Sequence, residues 1–355
     1  MPSPILSRES LIPQAGTLML AAAGAVTFYL LGLPLPFLFG PMTFCLIAAL
    51  SGARLRGMGQ VSIAARTILG VAVGASITPA VIGQIPQMAA SVALVPVYVA
   101  AIGLIGVPYF RRLGLDTPTA YYASMPGGLP DMVAFGQEAG ADIRALSLIH
   151  ATRMAVLVTL APVLLVWMYD APLTGAMGQS ITDTSGVQLV LMAAAALIGW
   201  KGGERIGLFG AAIIGPMIVT AILSLSGIIT TRPPAEAIKA AQFFIGLSIG
   251  IHYVGVTLRE LRHFVLTGLG FVLILAALAT LFAEITVLAG WAQPMEGFLS
   301  FLPGGQAEVT VLSIIVGADL GFVITHHVTR LIVVITGAPI AARLLGLGKR
   351  RPPTP

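Results

Sequence analysis

The stretch SMPGGLPDMVAFGQEAGADIRALSLIHATRMAVLVTLAP, from Ser124 to Pro162, recurs as LPGGQAEVTVLSIIVGADLGFVITHHVTRLIVVITGAP, from Leu302 to Pro339. Aligning the two copies at their Pro-Gly-Gly pairs 37 positions without a gap at an offset of 177 residues, and 13 pairs are identical. The identities include Pro-Gly-Gly, Gly-Ala-Asp and His-x-Thr-Arg, which are more specific than the Leu and Val shared by any two apolar helices. A repeat at a fixed offset predicts a duplicated architecture.

The two halves also match outside this stretch. Gly40-Pro41-Met42 recurs as Gly215-Pro216-Met217, and Gly70 recurs as Gly246, so the offset changes by only one or two residues along the chain. We therefore divide the sequence into an N-terminal cytoplasmic tail (1–14), a first membrane repeat (15–170), an acidic external linker (171–185), a second membrane repeat (186–346) and a basic cytoplasmic tail (347–355).

Composition predicts an integral membrane protein built from helices. Apolar residues make up 57% of the chain and charged residues 9%, against about 25% charged in soluble domains, and the mean hydropathy is +0.96. Apolar runs such as Val61 to Gln84 and Met88 to Phe110 are long enough to span a bilayer. Cys45 is the only cysteine, which excludes a disulfide framework and cysteine-rich zinc sites.

The positions of the basic residues favour five spans in each half over six. With five spans and a cytoplasmic N-terminus, only Arg232 and Lys239 lie on the side that the positive-inside rule disfavours. The central loop holding Asp170 and Asp183 has no Lys or Arg and falls outside. We predict about ten transmembrane helices, arranged as two inverted five-helix repeats in a bacterial inner membrane, with both termini cytoplasmic. Six spans per half would make the repeats parallel.

The segment from about Thr117 to Gly140 decides between these topologies, because its Pro-Gly-Gly cannot continue a regular helix. Irregular backbone at membrane depth is tolerated only inside protein or along a water-filled cavity. A broken element in both halves therefore indicates a transporter binding site, although a kink or connecting turn is the structural alternative. The predicted substrate- or ion-binding residues are Pro126, Gly127, Gly128 and Asp131 in the first copy and Pro303, Gly304, Gly305 and Glu308 in the second.

Three further ionisable pairs form a predicted polar stripe. Its members are Asp142, His150 and Arg153 in the first copy and Asp319, His327 and Arg330 in the second. Positions 142 and 153 project about 20° apart on a helix, and imidazole can take up a proton near neutrality, so the stripe is either a relay or a binding wall. Structurally, the arginines could instead neutralise the acids, and Gly-Ala-Asp could cap a helix. We predict no metal site or cofactor, because adjacent His326 and His327 point in different directions on a helix.

The first copy contains the signature MPGGLPDMVAFGQEAGAD…HATR, and the second contains LPGGQAEVTVLSIIVGAD…HHVTR. Together with the Gly-Pro-Met helix, these motifs resemble the bacterial AbrB-duplication membrane family. The resemblance covers the chain from about Gly16 to Gly346. Members of that family are labelled ammonia monooxygenases or regulators of gene expression. The family is similar to ten-span transporters with inverted five-helix repeats, which include sodium/proton antiporters and bile-acid symporters. The resemblance implies a proton- or ion-coupled carrier.

Three hypotheses of function follow. The leading one is a secondary transporter of a small solute, coupled to H⁺ or Na⁺, with its site at the interface of the two repeats. The second is a membrane regulator or sensor that affects gene expression indirectly, since the chain lacks a basic soluble module for DNA. The third, a membrane oxygenase, would need a compact set of His or carboxylate ligands. The five histidines of the chain include no close pair at ligand spacing, so we expect that the protein is not an enzyme. The predicted partners are the lipid bilayer, the solute with its ion, and a second copy of the chain in a candidate homodimer, with no direct nucleic acid.

Overall fold

The computed structural model describes residues 8–33, 35–171, 173, 179–208 and 210–347, and all regular structure in those ranges is helical. The first half contains α1 (Arg8–Leu30), α2 (Pro36–Leu50), α3 (Gln60–Gly74), α4 (Pro79–Arg112), α5 (Thr117–Ser124), α6 (Leu129–Glu138) and α7 (Ile143–Tyr169). The second half contains α8 (Gly186–Arg205), α9 (Ala211–Leu225), α10 (Ala235–Ile251), α11 (Leu258–Glu260), a π-helical turn (Leu261–Val265), α12 (Leu266–Leu288), α13 (Pro294–Phe301), α14 (Gln306–Val316) and α15 (Leu320–Leu344).

Several of these helices are suited to a membrane. Within the described residues, five segments are long and apolar enough to span a bilayer: Met88–Arg112, Ile143–Tyr169, Gly186–Arg205, Leu261–Leu288 and Leu320–Leu344. Five further apolar helices are shorter: Gln14–Leu30, Pro36–Leu50, Gln60–Gly74, Ala211–Leu225 and Gln306–Val316. The prediction of an all-α, membrane-type protein is confirmed, whereas the count of ten spans and their inverted order stay predictions.

The boundary between α3 and α4 differs from the hydropathy-based prediction. α3 ends at Gly74 and α4 begins at Pro79, so the candidate span from Val61 to Gln84 contains parts of two helices. Proline is favoured in the first turn of a helix because it has no N–H to leave unpaired, and it disfavours helical backbone at the preceding residue, Thr78. One helix therefore ends and the next begins inside one candidate span.

The chain folds into two compact units, and each unit contains segments from both sequence halves. Unit 1 comprises Met1–Gly83, Ala171–Val256 and Thr310–Gly321, and unit 2 comprises Gln84–Asp170, Thr257–Val309 and Phe322–Pro355. Both Pro-Gly-Gly motifs belong to unit 2.

Unit 1 is held together by close approaches of glycine to backbone. Gly70 on α3 packs against the carbonyl of Ile213 at the start of α9, and Gly246 on α10 packs against the carbonyl of Leu38 at the start of α2. A side chain at either glycine would collide with the facing backbone. Each half thus supplies one glycine-bearing helix and one helix that receives the other half's glycine.

Unit 2 has an aromatic core that packs with Met125, directly before the first Pro-Gly-Gly, and includes Phe301, close to the second. The ring of Tyr98 lies 5.1 Å from that of Phe282 and 5.4 Å from that of Phe301, and the rings of Phe110 and Phe271 are 4.6 Å apart. All five rings are buried. Aromatic pairs at such distances stabilise a core beyond the area that they bury.

Candidate functional site

The two Pro-Gly-Gly motifs interrupt helices, as the sequence predicts. The first break, residues 125–128, separates α5 from α6, and its ends at Met125 and Gly128 have extended backbone. The second break, residues 302–305, separates α13 from α14. The final carbonyls of α5 and α13 have no donor within their own helices, and other groups must satisfy them.

Arg153 satisfies carbonyls of the first break. Its Nη1 donates to the Met125 carbonyl at 3.1 Å, and its Nη2 donates to the Gly127 carbonyl at 2.7 Å. Only 2% of the arginine surface is exposed. Hydrogen bonds from an ionised donor are stronger than neutral ones, so a single buried side chain fixes the path of the broken segment.

Arg330 repeats this arrangement at the second break. Its Nη1 donates to the Leu302 carbonyl at 2.8 Å, and its Nη2 donates to the Gly304 carbonyl at 2.6 Å. The donor and both acceptors lie 177 residues from their counterparts in the first copy, and this arginine is also 2% exposed. We call each arginine with its two carbonyls a guanidinium clamp.

The paired histidines bind the helix one turn earlier. His150 Nε2 lies 3.1 Å from the Tyr122 carbonyl, and His327 Nε2 lies 2.8 Å from the Leu299 carbonyl. Because a carbonyl only accepts, Nε2 carries the proton in both rings. The remaining nitrogen differs: His327 Nδ1 lies 3.3 Å from Arg330 Nη2, which can donate to it, whereas His150 Nδ1 has no hydrogen-bond partner among the described residues.

The clamp arginines donate hydrogen bonds to backbone carbonyls at both breaks. The alternative interpretation, in which Arg153 and Arg330 neutralise the acids, stays a prediction.

Both breaks adjoin the same hydrophobic core of unit 2. Met125, in the first break, and Phe301, directly before the second, belong to this core together with Tyr98. The structure thus brings the two copies of the predicted site to one core within unit 2.

The acid that follows each break lies in the first turn of a helix. Asp131 is the third residue of α6 and is partly buried, whereas Glu308 is the third residue of α14 and is 4% exposed. Carboxylates are favoured at a helix N-terminus by the helix dipole. The Glu308 carboxylate also folds over Gly305, where any Cβ would collide with it.

Packing explains the middle residue of each Pro-Gly-Gly. A Cβ at Gly127 would meet the side chain of Met132, 2.7 Å from its methyl carbon, and a Cβ at Gly304 would lie 3.0 Å from Cγ2 of Val309. In both copies the residue five positions later fills the space that the glycine leaves open.

Asp142 has a different environment from the arginine in its predicted stripe. Its carboxylate accepts hydrogen bonds from the backbone nitrogens of Arg144 and Ala145 at 2.9 and 3.0 Å, and it is exposed. This is the helix-capping role that Gly-Ala-Asp predicts. Asp319, also exposed, directly precedes α15 in the same way. The stripe therefore divides into buried clamps and exposed helix starts.

Tyr98 belongs to the site, although a comparison of the two repeats does not reveal it. Its hydroxyl donates to the Phe301 carbonyl at 2.7 Å, directly before the second break, and the side chain is buried. The sequence could have indicated it, because Tyr98 lies within the uncharged run Met88–Tyr109 and a buried hydroxyl needs a hydrogen-bond partner. It has no tyrosine counterpart in the second half, so a search for pairs passes over it.

The adjacent histidines bind separate partners. His326 Nε2 lies 3.0 Å from Ser91 Oγ, whereas His327 faces the Leu299 carbonyl. In the part of the chain that the structure describes, no three His, Cys, Asp or Glu side chains gather closely enough to hold a metal ion.

Two cavities lie beside α5, the helix that precedes the first break. One, of about 380 Å³, is lined by Tyr122, Glu138 and Arg343 among others, and thus reaches the residue whose carbonyl His150 binds. The other, of about 700 Å³, is mostly apolar and is lined by Tyr121 and Met125 among others. Of the residues in the break, Met125 lines the larger cavity, and Met125, Pro126 and Gly127 are all buried.

Comparison with known proteins gives a consistent result along the chain. The family described as "Transition state regulatory protein AbrB" matches residues 37–346. "Putative regulator AbrB" of Escherichia coli (strain K12) is 25% identical over 334 residues, covering 90% of this chain and 93% of that protein. "Uncharacterized protein YhjN" of Bacillus subtilis (strain 168) is 25% identical over 366 residues, covering 95% of this chain and 94% of that protein.

Proposed function

Since this chain belongs to the AbrB family, we propose that it is a secondary transporter of a small solute whose site lies at the paired breaks of unit 2. The observation that carries the proposal is the repeated guanidinium clamp on two broken helices. Ionisable side chains inside a membrane are costly and mark solute or ion pathways, and broken helices at equivalent positions in two repeats mark transporter sites. The proposal includes ten spans in two inverted repeats in a bacterial inner membrane.

The clamps favour H⁺ over Na⁺ as the coupling ion. In transporters with broken helices, carbonyls at half-helix ends can coordinate Na⁺. Here the Met125, Gly127, Leu302 and Gly304 carbonyls accept hydrogen bonds from guanidinium groups. Asp131 and Glu308, in the first turns of α6 and α14, are then the groups that would bind and release the coupled proton as the solute is transported.

Currents in proteoliposomes test this proposal across several classes of solute at once. A panel of small carboxylates, amines and neutral solutes is applied to full-length protein on a solid-supported membrane, with and without Na⁺ and at several pH values. We expect a Na⁺-independent, pH-dependent current for at least one compound. Glu308→Gln and Asp131→Asn should abolish it, while Glu204→Gln, a change at an exposed acid, should not. Full currents in both site variants would contradict the assignment.

Topology tests the proposed membrane arrangement. Thr182 lies in the linker between the halves and is exposed, so a Thr182→Cys reporter in a Cys45→Ala background can be labelled from one side of intact cells. Labelling by an impermeant reagent from outside supports five spans per half. Labelling only after the membrane is permeabilised would contradict inverted repeats.

A second candidate function is a membrane-bound regulator. It is favoured by the family description and by the name of the Escherichia coli relative. Such a protein would bind a solute at the same site and change an interaction with another protein. Solute binding to the purified chain, lost in Glu308→Gln and accompanied by no current or uptake, would favour this function over transport.

We also propose that the protein is not an enzyme and needs no cofactor, and that two copies form a dimer. Copper that co-purifies in stoichiometric amounts, together with oxidation of ammonia by the purified protein, would overturn the first part. The mass of the protein–detergent complex, corrected for detergent, tests the second.

A further inference from the structure

A basic cavity separate from the breaks lies at the beginning of α12. Its volume is about 700 Å³, and it is lined by Leu113, Arg259, Arg262, His263, Leu266 and Thr267. The membrane-spanning segment Leu261–Leu288 starts here, so the cavity lies at the end of a span, where lipid headgroups are found. All of its lining residues belong to unit 2.

The cavity carries positive charge that nearby acids do not neutralise. Arg259 and Arg262 are exposed, and in the described ranges neither has an ion-pair partner within 4.0 Å. The acid between them, Glu260, is bound by Arg144 and by the backbone nitrogen and hydroxyl of Thr257. Guanidinium groups recognise phosphate well because their planar donors match its oxygens.

An apolar strip continues from the cavity along α12. Leu266, Leu269 and Leu273 are 58%, 38% and 62% exposed, and their spacing of three and four residues places them on one helix face. A ligand with a charged head and an apolar chain could therefore contact the arginines and the leucines at once.

The local backbone is also unusual. Residues Leu261–Val265 form a π-helical turn, which widens the helix next to Arg262 and His263. Such turns are rare and often occur at functional sites. The Tyr109 hydroxyl on α4 donates to the carbonyl of Thr267, one of the lining residues, at 2.9 Å.

We propose that this cavity binds the phosphate of an anionic phospholipid, with Arg259 and Arg262 at the headgroup and an acyl chain along Leu266, Leu269 and Leu273. Basic cavities beside membrane helices are suited to anionic headgroups. The proposal does not depend on whether the protein transports a solute.

Native mass spectrometry of the full chain in a neutral detergent tests it with phosphatidylglycerol and phosphatidylcholine as probes. A basic residue near an anionic membrane surface contributes a factor of about five in affinity. We expect Arg259→Gln and Arg262→Gln each to weaken phosphatidylglycerol binding about fivefold, with no change for phosphatidylcholine. Both arginines are exposed, so the melting temperature in detergent without lipid should stay unchanged and separate lost binding from lost folding.

Arg205→Gln is the matched control, because Arg205 is an exposed arginine at the end of another helix, α8. Equal weakening by that change, or unchanged binding in the Arg259→Gln/Arg262→Gln double variant, would overturn the proposal. Soluble glycerol 3-phosphate separates the two sources of phosphate. Competition by it at the concentration of the lipid would replace the lipid assignment with a free phosphate ester.

Discussion

The two breaks share a clamp but differ in their surroundings. Both have an arginine on two carbonyls and a histidine on a third, at identical sequence offsets. At the second break the acid Glu308 is buried, His327 also contacts its arginine, and Tyr98 adds a hydrogen bond. At the first break Asp131 is only partly buried, and a mostly apolar cavity of about 700 Å³ is lined in part by Met125. The duplicated residues preserve backbone geometry, whereas the residues around them set access and polarity.

The largest expected effect is the loss of a clamp. Arg330→Ala leaves the Leu302 and Gly304 carbonyls buried without their donors, and each unsatisfied group costs about 1–3 kcal/mol. We expect the free energy of unfolding to fall by about 2–6 kcal/mol, and to fall less for Arg153→Ala, because Arg330 also contacts His327. Thermal unfolding of the purified variants measures both changes.

Neutral substitutions at the acids are the control for that comparison. Glu308→Gln and Asp131→Asn retain the shape of each side chain and leave every clamp carbonyl bonded. Equal stability of the arginine variants and the acid variants would show that the clamps do not support the fold.

A smaller difference is expected between the histidines. His327→Phe removes the contact with Arg330 and one donor to the Leu299 carbonyl, which still accepts a hydrogen bond from the Leu302 backbone nitrogen at 3.4 Å. His150→Phe removes the donor to the Tyr122 carbonyl, and the residue four positions later, Pro126, has no N–H to replace it. His150→Phe should therefore destabilise the protein by about 1 kcal/mol more than His327→Phe, because a buried carbonyl without a donor costs more than one lost hydrogen bond. Identical melting temperatures for the two variants would remove this asymmetry.

The smallest effect concerns an ion pair that only the first copy has. Arg144, near the start of α7, binds Glu260, while the aligned residue near the start of α15 is Gly321. The hydrogen bond from Arg144, with further bonds from Thr257, lowers the pKa of Glu260 to about 2. Because the folded pKa lies below the usual value of 4.5, the contribution is fully present above about pH 4.5 and is lost as the pH falls toward 2.

Glu260→Gln should therefore lower the melting temperature slightly at neutral pH and make no difference near pH 2. Melting curves of both proteins across that pH range provide the measurement. A difference that grows on acidification would contradict the sign of this linkage.

The sequence predicted the helix breaks well, because proline and glycine determine backbone behaviour locally. It also identified Arg153 and Arg330 as important, since buried charges need partners. It did not predict that those partners are carbonyls. Every residue has a backbone carbonyl, so residue types do not show which carbonyl will accept a hydrogen bond. Tyr98 was missed because its hydrogen bond to the Phe301 carbonyl, just before the second break, joins residues 203 positions apart. The limits of the two units were not predicted either, because they depend on packing between distant parts of the chain.

The reciprocal glycine contacts of unit 1 bear on how the protein could have arisen. Gly70 in the first half packs against α9 of the second half, and Gly246 in the second half packs against α2 of the first half. In a symmetric homodimer, each chain makes the same contact on its partner through the same surface. A half-length ancestor could have used this contact between two identical chains before gene fusion joined them. Two polypeptides made by splitting the present chain between residues 170 and 186 should then reassemble when expressed together, and neither should accumulate alone.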